Sequence, residues 1–182
     1  MGDPPPASKT SDPNSRALPE SPEDLLGGGE LDMRIATDGT WFYQGSAIRR
    51  PALVKLFSTI LRREDDGSYW LVTPAERGRV VVEDAPFVVV EMRHSGSGRD
   101  RRISFRTNVD DWIELDDQHP LRVEVQADTG EPRPYIVVRD NLEARLLRSV
   151  FYHLTELAEP EDEGKEEQFG VWSNRRFFRL GG

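Results

Sequence analysis

The sequence predicts an α+β protein of two small, related halves, each made mainly of antiparallel strands with one main helix. Three observations predict it. The stretch Pro134–Leu157 reads as a short apolar strand running straight into an amphipathic helix. The pair Asp38-Gly39 sits between two strand-like runs, the strongest short signal of a hairpin. The two helical patterns of the chain are also embedded in one order of pieces: hairpin, helix, acidic loop with glycine, hairpin.

Composition sets the bounds. At 182 residues and 36 % hydrophobic content, the chain can fill one ordinary core or two small ones. A formal net charge of −9 argues against a general nucleic-acid binder and against an anionic membrane surface, because both need excess Lys and Arg. With no cysteine there is no disulfide framework and no thiolate chemistry. No apolar run approaches the roughly 20 residues of a membrane span, and the first residues lack the pattern of a signal peptide. A soluble, cytoplasmic protein is expected.

Taken in order, Met1–Glu20 is rich in Pro, Ser and Asp and nearly without apolar side chains, so residues 1–24 are expected to be a disordered tail. Ser21 through Leu26 reads as one short capped helix, stopped by Gly27-Gly28-Gly29. The glycine triplet is no phosphate loop, since no Gly-Lys-Ser/Thr follows it. The first half is set at 25–84 and the second at 85–182. Met33–Ala36 and Trp41–Gln44 form the first hairpin. Pro51 opens a helix in which Leu53, Leu56, Phe57, Ile60 and Leu61 share a stripe, ending near Arg63. Glu64 to Gly67 is its acidic loop. Tyr69–Thr73 with Arg79–Glu83, Phe87–Arg93 with Ile103–Thr107, then Trp112–Leu115 and Leu121–Gln126 read as a meander of short strands. In Pro134–Leu157, Tyr135 to Val138 is the strand. Asp140 and Glu143 are read as a capping box that starts a helix at Asn141, with Leu142, Leu146, Leu147, Val150, Phe151, Leu154 and Leu157 on one face. Pro160 to Gly164 is an acidic loop, and Phe169–Ser173 with Arg176–Leu180 is the last hairpin. In the repeat, Arg50 then matches Arg139, Leu53 matches Leu142, Phe57 matches Leu146 and Gly67 matches Gly164.

The sequence offers little for catalysis. His94, His119 and His153 lie on separate elements without a metal-binding spacing. No nucleophile elbow occurs, and the 33 acids are too dense for any pair to stand out. Asp110–Asp117 lacks the ligand spacing of a calcium loop. Three polar features and one crossing remain. Thr73-Pro74-Ala75-Glu76 reads as a capped turn, or as exposed backbone N–H groups facing an anion. Phe105-Arg106-Thr107-Asn108 ends a strand in a turn, where Asn tolerates the left-handed backbone. Arg50, Arg139 and Arg145 present guanidinium forks suited to phosphate or carboxylate, or else pair with neighbouring acids. In Val82-Glu83-Asp84-Ala85-Pro86-Phe87, proline interrupts the strands and marks the crossing between halves.

In this order the motifs resemble a bacterial family known only as domain of unknown function 1285. The stretches that carry the resemblance are Trp41-Phe42-Tyr43-Gln44-Gly45 with Ile48 and Arg50, Leu56-Phe57-Ser58, Tyr69-x-Leu71-Val72-Thr73-Pro74-x-Glu76, Val82 to Phe87, Phe105-x-Thr107-Asn108, and Pro134-Tyr135-Ile136-x-x-Arg139-x-x-Leu142-Glu143-Ala144-Arg145. The resemblance implies a duplicated core whose second half is pleckstrin-homology-like, with a nucleotide-type ligand at the junction in signal transduction. The expectation is therefore a non-catalytic module that binds a small anionic, nucleotide-like ligand between the halves, with no cofactor and no nucleic-acid polymer or membrane as partner. Arg50, Arg139 and Arg145 would meet its charge. Thr73, Glu76, Thr107 and Asn108 would hydrogen-bond it, and Phe87, Phe105 or Tyr135 would pack a ring. The alternative is an adaptor that presents sheet edges or loops to a protein partner.

Overall fold

A computed structural model describes Ser21 and residues 31–161 and 168–181. The expected tail (Ser21 apart), the short helix before the glycine triplet, the triplet itself and the end of the 160–164 loop lie outside the described residues.

The first half runs β1 (Met33–Ile35), β2 (Trp41–Tyr43), β3 (Ser46–Ala47), α1 (Pro51–Thr59), β4 (Leu61–Arg63), β5 (Tyr69–Val72) and β6 (Arg77–Val82). Its six strands form one sheet in the order β3-β2-β1-β6-β5-β4, antiparallel except for the central pair β1 and β6, which is parallel. The second half runs β7 (Phe87–Ser95), β8 (Arg102–Thr107), β9 (Trp112–Glu114), β10 (Leu121–Val125), β11 (Pro132–Arg139) and β12 (Leu142–Leu146), followed by α2 (Arg148–Thr155). Its sheet order is β10-β11-β12-β7-β8-β9, again with the first and last strands, β7 and β12, parallel at the centre. Both sheets are thus two three-stranded meanders joined along their inner strands, wired identically. A third, smaller sheet of β13 (Glu159–Pro160), β14 (Phe169–Ser173) and β15 (Arg176–Arg179) closes the chain.

Chain reach bends the second sheet. Strands β9 and β10 stand at its two ends, which in a flat six-stranded sheet would be about 24 Å apart. Residues 115–120 join them, and Asp116 folds that link into a turn by accepting the backbone N–H groups of Gln118 and His119, each at 2.9 Å. A turned link of this length cannot reach about 24 Å. The sheet must curl so that its ends approach.

A duplicated architecture with one main helix in each half matches the expectation, but the repeat has different contents. Leu142–Leu146 is strand, not helix. Asp140 and Asn141 both have positive φ, 43° and 62°, which makes them the two-residue turn of a hairpin and not a helix cap. Beyond that turn the burial alternates: Leu142, Ala144 and Leu146 face the core, Glu143 and Arg145 the other way. The run Leu-Glu-Ala-Arg-Leu satisfies a period of two as well as one of three to four. Parallel pairing with β7 decides between them, because it places Ala144 and Leu146 beside Phe87 and Val89. The helix starts only at Arg148 and buries Val150, Phe151 and Leu154. α1 is likewise shorter than expected: it ends at Thr59, Leu61–Arg63 pairs with β5, and Leu56 is exposed. Because α1 lies between the two meanders and α2 after them, Arg50 and Arg139 are not equivalent positions of the repeat.

One hydrophobic cluster runs through both halves, from Met33, Trp41, Phe57 and Leu71 to Phe105, Ile136, Leu142, Leu154 and Val171. The halves therefore fold onto a shared core.

The turn reading carries a test. Replacing the exposed Asn141 by Gly should leave stability nearly unchanged, whereas Asn141→Val should lose about 1–2 kcal/mol in urea unfolding, the cost of a left-handed backbone for a residue that resists it. Equal stability of the two variants would contradict the turn.

Candidate functional site

In β11 alternate residues point to opposite faces, so Arg133, Tyr135 and Val137 share the face turned away from Pro134 and Ile136, until a bulge between Val137 and Arg139 breaks the alternation and sets Arg139 beside Leu142. The register with β12 sets Tyr135 beside Arg145 and Val137 beside Glu143, while β10 sets Arg122 beside Tyr135. This face meets the first half, and the seam between them is polar.

Its centre is Asp84, in the crossing between β6 and β7, with a side chain only 9 % exposed. Tyr135 Oη donates to Asp84 Oδ1 at 2.8 Å, and Arg133 and Arg145 each approach Oδ2 at 3.4 Å. Arg145 also donates to the Thr37 carbonyl at 3.0 Å, and Arg122 lies over the Tyr135 ring at 4.3 Å while gripping both oxygens of Glu143. Burial, and then the hydrogen bond to Asp84, push the Tyr135 phenol up to about 12. Farther along the seam, Arg139 donates to the Ser58 carbonyl at the end of α1 at 2.6 Å, reaches Asp111 at 3.5 Å and covers the Phe87 ring. Asn108 accepts from the Val88 N–H at 3.0 Å and donates to the Gly39 carbonyl at 3.1 Å. A β-carbon at Gly39, where φ is +83°, would lie 2.8 Å from the Asn108 amide nitrogen and 2.9 Å from Val88, so glycine is required at this contact.

The residues singled out from sequence thus divide. Phe87, Asn108 and Arg139 gather on one stretch of the seam, and Tyr135 and Arg145 gather around Asp84. Phe105 and Thr107 are fully buried, and the Thr107 hydroxyl accepts the Asp111 N–H at 3.2 Å. The left-handed residue of that turn is Asp110, φ 63°, rather than Asn108, whose side chain is spent on the seam. Thr73 and Glu76 close the β5–β6 turn on each other, with the Glu76 N–H donating to Thr73 Oγ1 at 3.1 Å. Arg50 stands exposed as the N-cap of α1. Sequence reasoning missed Asp84 as a hub, and it missed Arg133 although the period-two pattern from Arg133 to Val137 carries it. No three His, Cys, Asp or Glu side chains among the described residues form a cation site, and no described helix is long and apolar enough to cross a membrane.

Two openings flank this network. One, about 270 Å³, lies at the seam between Arg63, Glu64, Asp65, Val137, Asn141 and Glu143 and mixes both signs of charge. The other, about 480 Å³, opens where β11 and β12 meet the start of α2. Arg133, Arg145 and Arg148 line it together with Glu131, the prolines 132 and 134, Phe151 and Tyr152. Arg148 pairs with Glu131 at 2.5 Å, and both are at least half exposed. Leu147 caps α2 without a side-chain hydrogen bond, which leaves the first-turn N–H groups without a side-chain partner at the mouth of this cavity.

The model of the DUF1285 N-terminal domain, a domain of unknown function, matches residues 22–85, and that of the DUF1285 C-terminal domain, described as a protein of unknown function, matches residues 86–180. The crystal structure of a DUF1285 family protein from Silicibacter pomeroyi DSS-3 is 45% identical over 91% of this chain and 89% of that one, with a TM-score of 0.77. A DUF1285 family protein from Shewanella baltica OS155 is 26% identical over 68% of this chain and 90% of that one, with a TM-score of 0.54. No curated protein matches.

Asp84→Ala should lower stability by about 2–3 kcal/mol, because it strands a phenol and two guanidinium groups; their partial exposure keeps the loss below that of a fully buried pair. Tyr135 should ionise late when phenolate absorbance is followed against pH. Its folded pKa lies above the unfolded value near 10, so its contribution is full below pH 10 and disappears as pH rises towards 12. Tyr135→Phe should remove that late transition; a variant whose absorbance above pH 11 rises as the parent's does would contradict the buried contact.

Proposed function

This chain belongs to the DUF1285 family, and from that premise we propose that it is a non-catalytic binding module for a small anionic, nucleotide-like molecule, held in the cavity between β11, β12 and the start of α2. The observation that carries the reading is that three arginines, Arg133, Arg145 and Arg148, line one opening of about 480 Å³. That size lies in the range of small-molecule sites. The chain as a whole carries net charge −9, so three cations around one cavity run against its composition.

The chemistry divides within the cavity. Arg133 and Arg145 are oriented from behind by Asp84 and keep about a third and a quarter of their side-chain surface open. Guanidinium groups fixed in this way lose little freedom when they meet a phosphate or carboxylate. Arg148 supplies a third fork, and the first turn of α2 adds N–H groups whose dipole favours negative charge. The half-exposed Tyr152 ring and the prolines 132 and 134 give a flat apolar wall for a base or similar ring. Of the residues singled out from sequence, Arg145 is the one that also lines this opening, and it ties the cavity to the first half through the Thr37 carbonyl. Glu131 is its one acidic wall residue and the partner of Arg148. A pleckstrin-homology-like second half and a role in signalling belong to the same proposal; a six-stranded sheet followed at once by a helix supports the first.

A thermal-shift panel of nucleoside mono- and diphosphates, inorganic pyrophosphate and matched nucleosides tests the reading. A phosphorylated member at 100 times its dissociation constant should add about 2.7 kcal/mol, and its unphosphorylated nucleoside should add nothing. Arg148→Ala should abolish the shift without changing the ligand-free transition, since its exposed pair contributes little. Glu131→Gln should strengthen binding by releasing Arg148. A panel without any shift, or a shift indifferent to both variants, would overturn the assignment.

A further inference from the structure

The outward face of the first sheet is a basic surface on an acidic chain, and we infer that it docks a proline-rich acidic segment of a partner protein across β4, β5 and β6. Register places Arg62, Trp70 and Arg79 in one row across these strands, since Arg62 pairs with Trp70 and Trp70 with Arg79. Alternation along β6 puts Arg77 and Val81 on the same face, and β1 adds Arg34 beside Val81. Leu61, Leu71 and Val80 are buried on the other side. No strand of this sheet contains an acidic residue, although the chain has 33 acids and a net charge of −9.

The charge of the row is not neutralised from within the fold. Arg79 is exposed and has no hydrogen bond or ion pair among the described residues. Arg62 donates only to the carbonyls of Thr59 and Leu61, at 3.0 and 2.7 Å. Their neighbours differ, for Arg34 pairs with Glu83 and Arg77 with Glu64 at 3.6 Å, and neither of those is counted on here. Of the other acids in the β4–β5 turn, Asp65 lines the opening at the seam, and Asp66 Oδ1 accepts the Ser68 N–H and hydroxyl at 2.8 and 2.6 Å. Between the two arginines the indole is held still: Trp70 Nε1 donates to Ser68 Oγ at 2.8 Å, and Arg77 lies over the ring at 4.0 Å. Trp70, Arg77, Arg79 and the 59 % exposed Val81 line one opening of about 650 Å³ that has no acidic residue in its wall. An aromatic anchor fixed in advance loses little freedom on binding.

The row also sets the period of what it binds. Arg62 and Arg79 stand on strands two spacings apart, about 9.6 Å. In a polyproline II segment, residues three apart share one face and are separated by about 9.3 Å. Acids at the first and fourth positions therefore meet both arginines, and the prolines between them lie against Trp70. A ligand in β conformation fails this match, because residues three apart point to opposite faces. Single-stranded nucleic acid is disfavoured, since Arg77 already covers the ring on which a base would stack and the chain's net charge repels a polyanion. A second copy of the same face would set arginine against arginine.

The test uses the full chain and the fluorophore-labelled peptide Glu-Pro-Pro-Glu-Pro-Pro-Glu, read by fluorescence anisotropy. Saturable binding is expected, weakening as salt is raised. The reordered peptide Glu-Glu-Glu-Pro-Pro-Pro-Pro keeps the charge and loses the period, and it should bind at least tenfold more weakly, as should Lys-Pro-Pro-Lys-Pro-Pro-Lys. Arg79→Glu should also cost at least tenfold while leaving the thermal transition unchanged. The reordered peptide is measured against the parent protein, so it decides the matter even if the variant fails to fold. Arg148→Ala, in the cavity beside α2, should leave peptide binding as it is. No binding, equal binding of either control peptide, indifference to Arg79→Glu, loss of binding in Arg148→Ala, or displacement of the peptide by a single-stranded oligonucleotide would each overturn the proposal.

Discussion

A single carboxylate holds the seam of this molecule. Asp84 lies in the short crossing from β6 to β7, the one covalent link between the two sheets, and it engages Tyr135, Arg133 and Arg145 from two strands of the second sheet. A nearly buried carboxylate is costly unless opposite charge and hydrogen bonds surround it, and here all three partners come from the far side of the seam. The crossing can therefore occupy one position relative to β11 and β12. The same contact orients two arginines whose outer surfaces stay open. Structural and recognitional roles are consequently shared within single side chains: the inner edge of Arg145 meets Asp84 and the Thr37 carbonyl, and its flank lines the cavity beside α2.

Along the rest of the seam the two sheets are fastened mainly through backbone carbonyls. Arg139 reaches the Ser58 carbonyl, Arg63 the Asn141 carbonyl at 3.2 Å, and the Asn108 side chain the Gly39 carbonyl. Carbonyls at helix ends and turns have unused acceptor capacity, and a guanidinium or amide can satisfy them without a second charge being buried. The result is an interface that is specific in register yet contains few fully desolvated ion pairs. Apolar contact supplies the remainder, since the cluster around Trp41, Phe57, Phe87 and Phe105 is continuous through both halves.

Local signals in the sequence described the hairpins well and the long-range pairing poorly. Asp38-Gly39 and Asn174-Arg175 lie in turns because strand-like runs flank them and because Gly39, Asn174 and Arg175 take positive φ, as local chemistry allows. Leu142 to Leu146 was illegible for a definite reason: five residues with apolar side chains at the first, third and fifth positions fit a strand, while Leu142, Leu146, Val150 and Leu154 together fit a helix face. Only the neighbour β7, more than fifty residues earlier in the chain, separates the two readings. The seam was half legible. Arg139, Asn108 and Tyr135 stood out as polar or aromatic residues at the ends of strands and Arg145 as a guanidinium of the expected helix, but their partners are mostly carbonyls and one aspartate in a crossing, and nothing in a single sequence distinguishes those from the rest.

The position of the helix explains why only the second half carries a third sheet at its edge. In the first half α1 connects β3 to β4, which are the two outermost strands, so the helix is spent on joining the ends of its own sheet. In the second half that connection is a short turned link held by Asp116, and the helix follows β12 instead. Released from the crossover, the chain beyond α2 can return across the curled sheet. It is held there by Arg101, which donates to the Leu157 carbonyl and to Glu159, and by the Ser173 hydroxyl, which accepts the Ile103 N–H. Gly170 lets β14 and β15 close tightly, for a β-carbon there would fall 2.3 Å from the Phe178 carbonyl oxygen. The third sheet is thus fixed against β8 on one side and comes within 8 Å of β10 on the other. Identical wiring in the two halves, with one helix moved, leaves the third sheet to the second half alone.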